Sequence, residues 1–329
     1  MTEIQKEFEN YKNLRLNLDM SRGKPGPEQS VITDPLHTIL QSKQDFICEN
    51  GIDVRGYGGL GGIPEAKRLM AEPVKEDPDN VLVCGNSSLN LMYDMVSWYM
   101  RFGALGSKAW GSYDEIQWIC PVPGYDRHFS VTEQFGIKMI PVPLKNEDLD
   151  YDKISEIAAS SPNVKGIWLI PQYSNPSGIT YSDTAVKTMA TMKTAASDFR
   201  IFWDNAYCVH HLDFEDVHEV FDIGQACKIA GNEDRYLKFT STSKITVPGA
   251  GIACLAASKD NINEITNWMS IQTIGHDKVN MMRHVKFLKD KAHILEIMKQ
   301  HAQILKPKFD IVLNTLEENF GSSDICSWI

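Results

Sequence analysis

The sequence predicts an α/β fold, a three-layer αβα domain around a mainly parallel sheet. Short apolar runs alternate with amphipathic segments from residue 81 to about residue 257. That is the pattern of buried strands separated by crossover helices. Small polar turns rich in Gly, Asn and Ser close several of the apolar runs. Hydrophobic residues make up 43% of the 329 residues, enough for a sizeable buried core.

The elements follow in order. Residues 1–20 read as a helical arm followed by an apolar strip, Leu14, Leu16 and Leu18. Residues 21–27 (Ser-Arg-Gly-Lys-Pro-Gly-Pro) are expected to be irregular, a linker on composition alone. Residues 56–62 formally match G-x-G-x-x-G. The preceding residues 49–55 make a poor buried strand, so the dinucleotide-binding context is missing. The glycines predict a flexible loop before a helix over 64–70, with Pro64 in its first turn. Residues 81–84 read as a strand and 85–88 as a turn. Residues 89–102 read as a helix with Leu91, Met95, Trp98 and Phe102 on one side. A strand, a small polar turn and a helix start can form an anion site or an ordinary capped helix.

Alternation continues with strands over 116–120, 138–142, 166–171 and 200–207. Helices are expected over 126–135, 151–159, 182–197 and 219–229. After a strand over 249–257 the chain turns helical to about residue 320, with 277–305 as one long helix. Residues 326–329 look like the start of an apolar strand. In parallel sheets ligands sit at the carboxyl ends of the strands. Asn86 to Ser88, Tyr125, Asn175, Asp204, Tyr207 and Lys244 fall at those ends.

A net charge of −10 argues against nucleic acid and anionic membranes as main partners. The polar N-terminus is no signal peptide, and no run is long and apolar enough to span a bilayer. Seven scattered cysteines without C-x-x-C fit free thiols in a reducing cytoplasm, and no metal site is expected.

Residues 236–244 (Tyr-Leu-Lys-Phe-Thr-Ser-Thr-Ser-Lys) carry the most chemistry. Lys244 is followed by Ile245, Val247 and Pro248, which predicts a dry setting. Desolvation favours the neutral amine, the form that captures carbonyls as a Schiff base. Read alone, the segment is equally a surface loop. Asp204, among Phe202, Trp203 and Ala206, needs a cation or donors if buried. It is either a core-network aspartate or the partner of a protonated pyridine nitrogen. Asn175 is a turn residue or a donor to a phenolate oxygen on such a ring. Tyr207 is a core aromatic or a second such donor. Tyr125 is packing or a ring-stacking face.

Seven motifs in order carry a family resemblance. They are Ser21-Arg22-Gly23-Lys24-Pro25, Tyr57 with Gly62, Gly85-Asn86-Ser87-Ser88, and Pro123-Gly124-Tyr125-Asp126-Arg127-His128. Asn175-Pro176-Ser177-Gly178, Asp204-Asn205-Ala206-Tyr207 and Ser241-Thr242-Ser243-Lys244 complete the set. The chain resembles pyridoxal-phosphate enzymes of fold type I, in the aspartate aminotransferase branch grouped with MocR-like sequences. The resemblance implies pyridoxal 5'-phosphate bound covalently by Lys244, with Lys244, Asp204 and Tyr207 as the catalytic residues. Asp204 would hold the ring nitrogen, Asn175 and Tyr207 the ring oxygen, and Tyr125 the ring face. Asn86, Ser87, Ser88, Ser241 and Ser243 would cradle the phosphate. Tyr57 would reach the phosphate of a neighbouring subunit, implying a homodimer with shared sites. Gly23 and Asn175 would lie near the substrate; Arg22, Lys24 and Arg127 are candidates for its distal carboxylate.

The implied domains are an N-terminal arm and part of a small domain (1–50), a large cofactor-binding domain (51–275), and an interdomain helix with the start of an incomplete small domain (276–329). Two departures stand out. The family's phosphate-binding arginine is replaced by Gly251. Its arginine for the α-carboxylate is not matched within these 329 residues, as expected of a fragment. The implied reaction is L-aspartate plus 2-oxoglutarate to oxaloacetate plus L-glutamate. A C–S lyase, a decarboxylase and a ligand-sensing regulator share the scaffold, because the pocket selects which bond the cofactor breaks. A nicotinamide oxidoreductase would rest on the glycine loop alone.

Overall fold

The computed structural model describes residues 2–17 and 25–321. In chain order come α1 (Glu3–Asn13), α2 (Pro27–Ile32), α3 (Pro64–Ala71), β1 (Val81–Val83), α4 (Ser88–Phe102) and β2 (Gln117–Val122). Next are α5 (Asp126–Gln134), β3 (Lys138–Pro143), α6 (Tyr151–Ser160), β4 (Val164–Leu169), α7 (Asp183–Thr191) and β5 (Arg200–Asp204). The last are α8 (Ile223–Ile229), β6 (Tyr236–Ser241), β7 (Ala253–Ala257), α9 (Lys259–Gln272), α10 (Lys278–Leu288) and α11 (Lys291–Phe320).

The strands form one seven-stranded sheet in the order β1-β7-β6-β5-β4-β2-β3. β3, β2, β4, β5 and β6 are parallel. β7 runs antiparallel to both β6 and β1. β1 therefore points the same way as β6, and the carboxyl ends of β1, β2, β4, β5 and β6 share one edge. Side chains alternate between the faces, as the pleat requires. Trp118, Trp168, Phe202 and Leu237 pack with α4 and α9 on one face. Ile119, Ile167, Ile201 and Tyr236 pack with α6, α7 and α8 on the other. At the β1 edge, Val81 and Val83 meet α3 and α10. Burying each such aliphatic side chain is worth roughly 1.5–3 kcal/mol. This is the expected three-layer α/β arrangement.

Several boundaries differ from expectation. The 277–305 segment is two helices: Lys289 takes φ 57°, and Asp290 accepts the His293 N–H at 2.8 Å to start a new helix. The 182–197 helix stops at Thr191, and the chain then turns so that Ala195 N–H bonds the Ala158 carbonyl at 2.9 Å. The buried stripe of α4 is Leu91, Met92, Met95, Val96 and Tyr99, while Phe102 is exposed and stacks on Trp268. β2 runs on through Pro121, because its ladder to β4 ends at Ile119 and no donor is needed there. The 200–207 strand ends at Asp204, the 249–257 strand starts at Ala253, and the 219–229 helix starts at Ile223. Pro27 opens α2 and is not irregular. Residues 21–24 and 326–329 lie outside the described residues. The glycine loop lies along β1, where Val83 N–H bonds Gly61 O at 3.0 Å, and it opens no βαβ unit. Among the described residues no helix is long and apolar enough to cross a membrane.

Gly166 in β4 sits where the sheet leaves no room for a side chain. A Cβ there would stand 2.5 Å from the Trp118 ring and 2.8 Å from the Arg200 carbonyl. Gly166→Ala is expected to lower stability by about 3 kcal/mol, read as a fall in the denaturant midpoint at unchanged slope.

Candidate active site

The shared edge of the sheet gathers the candidate residues. Asp204 ends β5 and is 4% exposed. Its Oδ2 lies 2.9 Å from His128 Nε2, while Oδ1 is buried without a hydrogen-bond partner among the described residues. His128 sits in the first turn of α5, three residues after Tyr125, and stacks on Trp168 at 4.7 Å and 15°. Trp168 Nε1 donates to Thr132 Oγ1 at 2.8 Å, and Thr132 Oγ1 donates to the His128 carbonyl at 2.9 Å. The histidine that holds Asp204 is thus fixed from both sides. Its role was missed in the sequence; the signal available was its place one turn beyond Tyr125.

Past β5 the chain is pinned to β6. Asn205 N–H bonds the Phe239 carbonyl at 2.7 Å, and Thr240 Oγ1 donates to the Asn205 carbonyl at 3.0 Å. This delivers Tyr207, whose phenol lies near enough to the Asn175 side chain to be influenced by it. Burial, then the Asp204 charge, push the Tyr207 phenol above its ordinary pKa, against the opposing influence of the Asn175 side chain. Tyr125 is pushed up by burial, and Lys244 pulls it down. Both phenols stay protonated at neutral pH and remain donors.

β6 runs into a single 3-10 turn, Thr242–Lys244. The Lys244 amine lies 4.7 Å from the centre of the Tyr207 ring. Tyr207 therefore touches Lys244 and feels the charge of Asp204, and Tyr125 senses the charges of both. Lys244 itself is exposed, which corrects the dry setting expected from its neighbours. The burial falls on Thr242, Ile245 and Thr246, because the turn packs its apolar side inward and projects the lysine outward.

The α4 start lies against this turn. Ser87 caps the helix, its Oγ accepting the Asn90 N–H at 3.4 Å, and Ser88 is the first helical residue. Ser243 Oγ donates to the Asn86 carbonyl at 2.9 Å, and Asn86 Nδ2 donates to the Gly249 carbonyl at 3.3 Å. Ser241 Oγ accepts the Ser243 N–H at 3.4 Å. The free N–H groups of a 15-residue helix so meet a serine-rich turn, an arrangement suited to an anion. At Gly251 a Cβ would stand 3.0 Å from both Ser243 N and Thr242 Oγ1, so no bulky cation fits there without moving the turn.

Tyr57 is 92% exposed on the glycine loop, away from packing in its own chain. Arg127 is exposed in the first turn of α5. Gly23, Arg22 and Lys24 lie outside the described residues.

The residues present fit a phosphorylated pyridine aldehyde. They offer a primary amine, an orphaned buried carboxylate oxygen for a ring N–H, phenol and amide donors, and a helix start for the phosphate.

The sequence pattern described as aspartate amino-transferase matches residues 1–329. The aspartate aminotransferase of Corynebacterium glutamicum is 41% identical over 329 residues, covering 99% of this chain and 75% of that protein. The crystal structure of an aspartate transaminase from Corynebacterium glutamicum superimposes with a TM-score of 0.94 at 41% identity, over 99% of this chain and 76% of that one. A Corynebacterium diphtheriae structure described as an aminotransferase gives a TM-score of 0.92 at 39% identity, over 96% and 77% of the two chains.

Buried histidines flank the lysine turn, and burial pushes His210 down to about 3 and His284 down to about 4. An unfolded histidine takes its proton near 6.5. Below that pH the unfolded chain binds more protons than the folded one, so stability falls with falling pH. The melting temperature is expected to drop between pH 6.5 and 4, with a shallower slope in His284→Gln.

Proposed function

The chain belongs to the aspartate amino-transferase family, and on that premise we propose that it moves an amino group between L-aspartate and 2-oxoglutarate, giving oxaloacetate and L-glutamate, with pyridoxal 5'-phosphate as cofactor. The observation that carries this reading is the buried Oδ1 of Asp204, unpartnered among the described residues, on the same edge of the sheet as the exposed amine that Lys244 holds against the Tyr207 ring. A carboxylate oxygen left so is costly unless a donor meets it.

Pyridoxal phosphate, when bound, supplies an aldehyde for the amine and a ring that withdraws electrons from the carbon beside the substrate nitrogen. Lys244 provides the amine and carries the substrate α-proton at Nζ. Asp204 would hold the protonated ring nitrogen and its positive charge through Oδ1, while His128 keeps the carboxylate oriented through Oδ2. Tyr207 and Asn175 donate to the ring oxygen. Tyr125 covers the ring face. The α4 N–H groups with Asn86, Ser87, Ser88 and Ser241 hold the phosphate, and Ser243 joins the two turns that form the cradle. With Gly251 in the arginine's place, that anchoring rests on neutral donors and the helix dipole.

The exposure of Tyr57 supports its use by a second copy, in a homodimer with shared sites. Gly23 is assigned to the substrate on the family pattern, as is placement in the MocR-like branch. Six free cysteines among the described residues support a reducing, cytoplasmic setting.

Lys244→Ala is expected to abolish both the visible absorbance band of the cofactor-loaded chain and amino transfer from aspartate. Asp204→Asn is expected to keep the band and slow transfer on the order of a hundredfold or more. A band that survives Lys244→Ala would overturn the reading.

A further inference from the structure

Three histidines pack beneath the turn that carries Lys244, each on a different residue. His210, after β5, sits beside Lys244 with its ring edge-on to Tyr207 at 5.5 Å and 85°. His284 of α10 meets Thr246 Oγ1 at 3.0 Å. His301 of α11 meets the Ile245 carbonyl at 3.2 Å.

The protonation state of His301 is dictated by its partners. Gln29 Oε1 accepts the Gly26 N–H at 3.0 Å, which turns the Gln29 amide nitrogen toward His301 Nδ1 at 2.9 Å. An amide nitrogen only donates, so Nδ1 accepts. The ring proton is then on Nε2 and is donated to the Ile245 carbonyl. Gln29 is 7% exposed, His301 2% and Ile245 5%, so water does not compete for these bonds.

We propose that His301 is a positioning residue for Lys244: a neutral imidazole of one tautomer that ties α2 to the carbonyl next to the lysine and holds the turn from which the amine projects. The chain of bonds runs from the Gly26 N–H through Gln29 and His301 to Ile245. It joins the N-terminal segment, the long helix α11 and the lysine turn. The proposal rests on the assignment of Lys244 as the reactive amine.

Few charges disturb His301. His210 and the lysine turn face it from the sheet side. On α2, Glu28 turns outward to Lys308 at 3.7 Å, and on α11 Lys299 pairs with Glu296 at 3.0 Å. Burial pushes the His301 pKa down, against its bond to the Ile245 carbonyl.

Nitrogen-15 NMR of histidine-labelled full chain, prepared without cofactor, reads the tautomer directly. The expected state at pH 7 is neutral with the proton on Nε2. Gln29→Glu puts an acceptor at Nδ1 and is expected to convert His301 to the imidazolium at the same pH. On the cofactor-loaded chain, His301→Gln keeps an N–H for the Ile245 carbonyl and should form the visible band within about twofold of the unmutated rate. His301→Ala should form it about fivefold more slowly, the worth of one net hydrogen bond. A proton on Nδ1, an imidazolium in the unmutated chain at pH 7, or equal rates in the two variants overturns the proposal. A missing band in the unmutated chain instead overturns the assignment of Lys244, and the role of His301 with it.

Discussion

One buried carboxylate sets the terms for the rest of the molecule. Asp204 is 4% exposed at the end of a central strand, and such a group persists only where donors meet it. His128 supplies one donor, and it can do so because Trp168 and Thr132 hold its ring and backbone. These residues come from β4, α5 and β5. Their meeting requires parallel neighbours whose carboxyl ends lie level, which the register Leu169↔Trp203 secures. The second oxygen of Asp204 has no partner among the described residues, so the carboxylate is held from one side only.

Around that point the site is stitched from turns. The segment after β5 is bonded to β6, the start of α4 is bonded to the lysine turn, and Ala253 N–H bonds the Gly85 carbonyl at 2.7 Å. Each turn is short and each bond is to backbone on one side, so positions are set by main chain and not by flexible side chains. The lysine is the exception. It stands exposed on a turn whose lower face is buried against histidines from α10 and α11. A buried base with an exposed amine suits an amine that must reach a carbonyl and later carry a proton.

Much of this was legible in order along the chain. The alternation of short apolar runs with amphipathic segments gives the layers, and the polar turns mark the edge where Asn86, Asp204 and Lys244 meet. Local pattern failed where a neighbour decided the outcome. The helix expected over 277–305 breaks because Lys289 can take a left-handed φ and Asp290 can cap the start of α11. Lys244 reads as dry from Ile245, Val247 and Pro248, yet a single tight turn sends it to the opposite side from Ile245.

The sequence by itself determined the layered α/β class, the order of strands and helices, and the set of polar residues at the strand ends, because periodicity and turn chemistry are local properties. Only the tertiary structure decided that β7 reverses direction, that His128 holds Asp204, and that Gln29 and His301, 272 positions apart, share a hydrogen bond. Those outcomes depend on which surfaces meet across the sheet and beneath the lysine turn, and no window of sequence contains both partners.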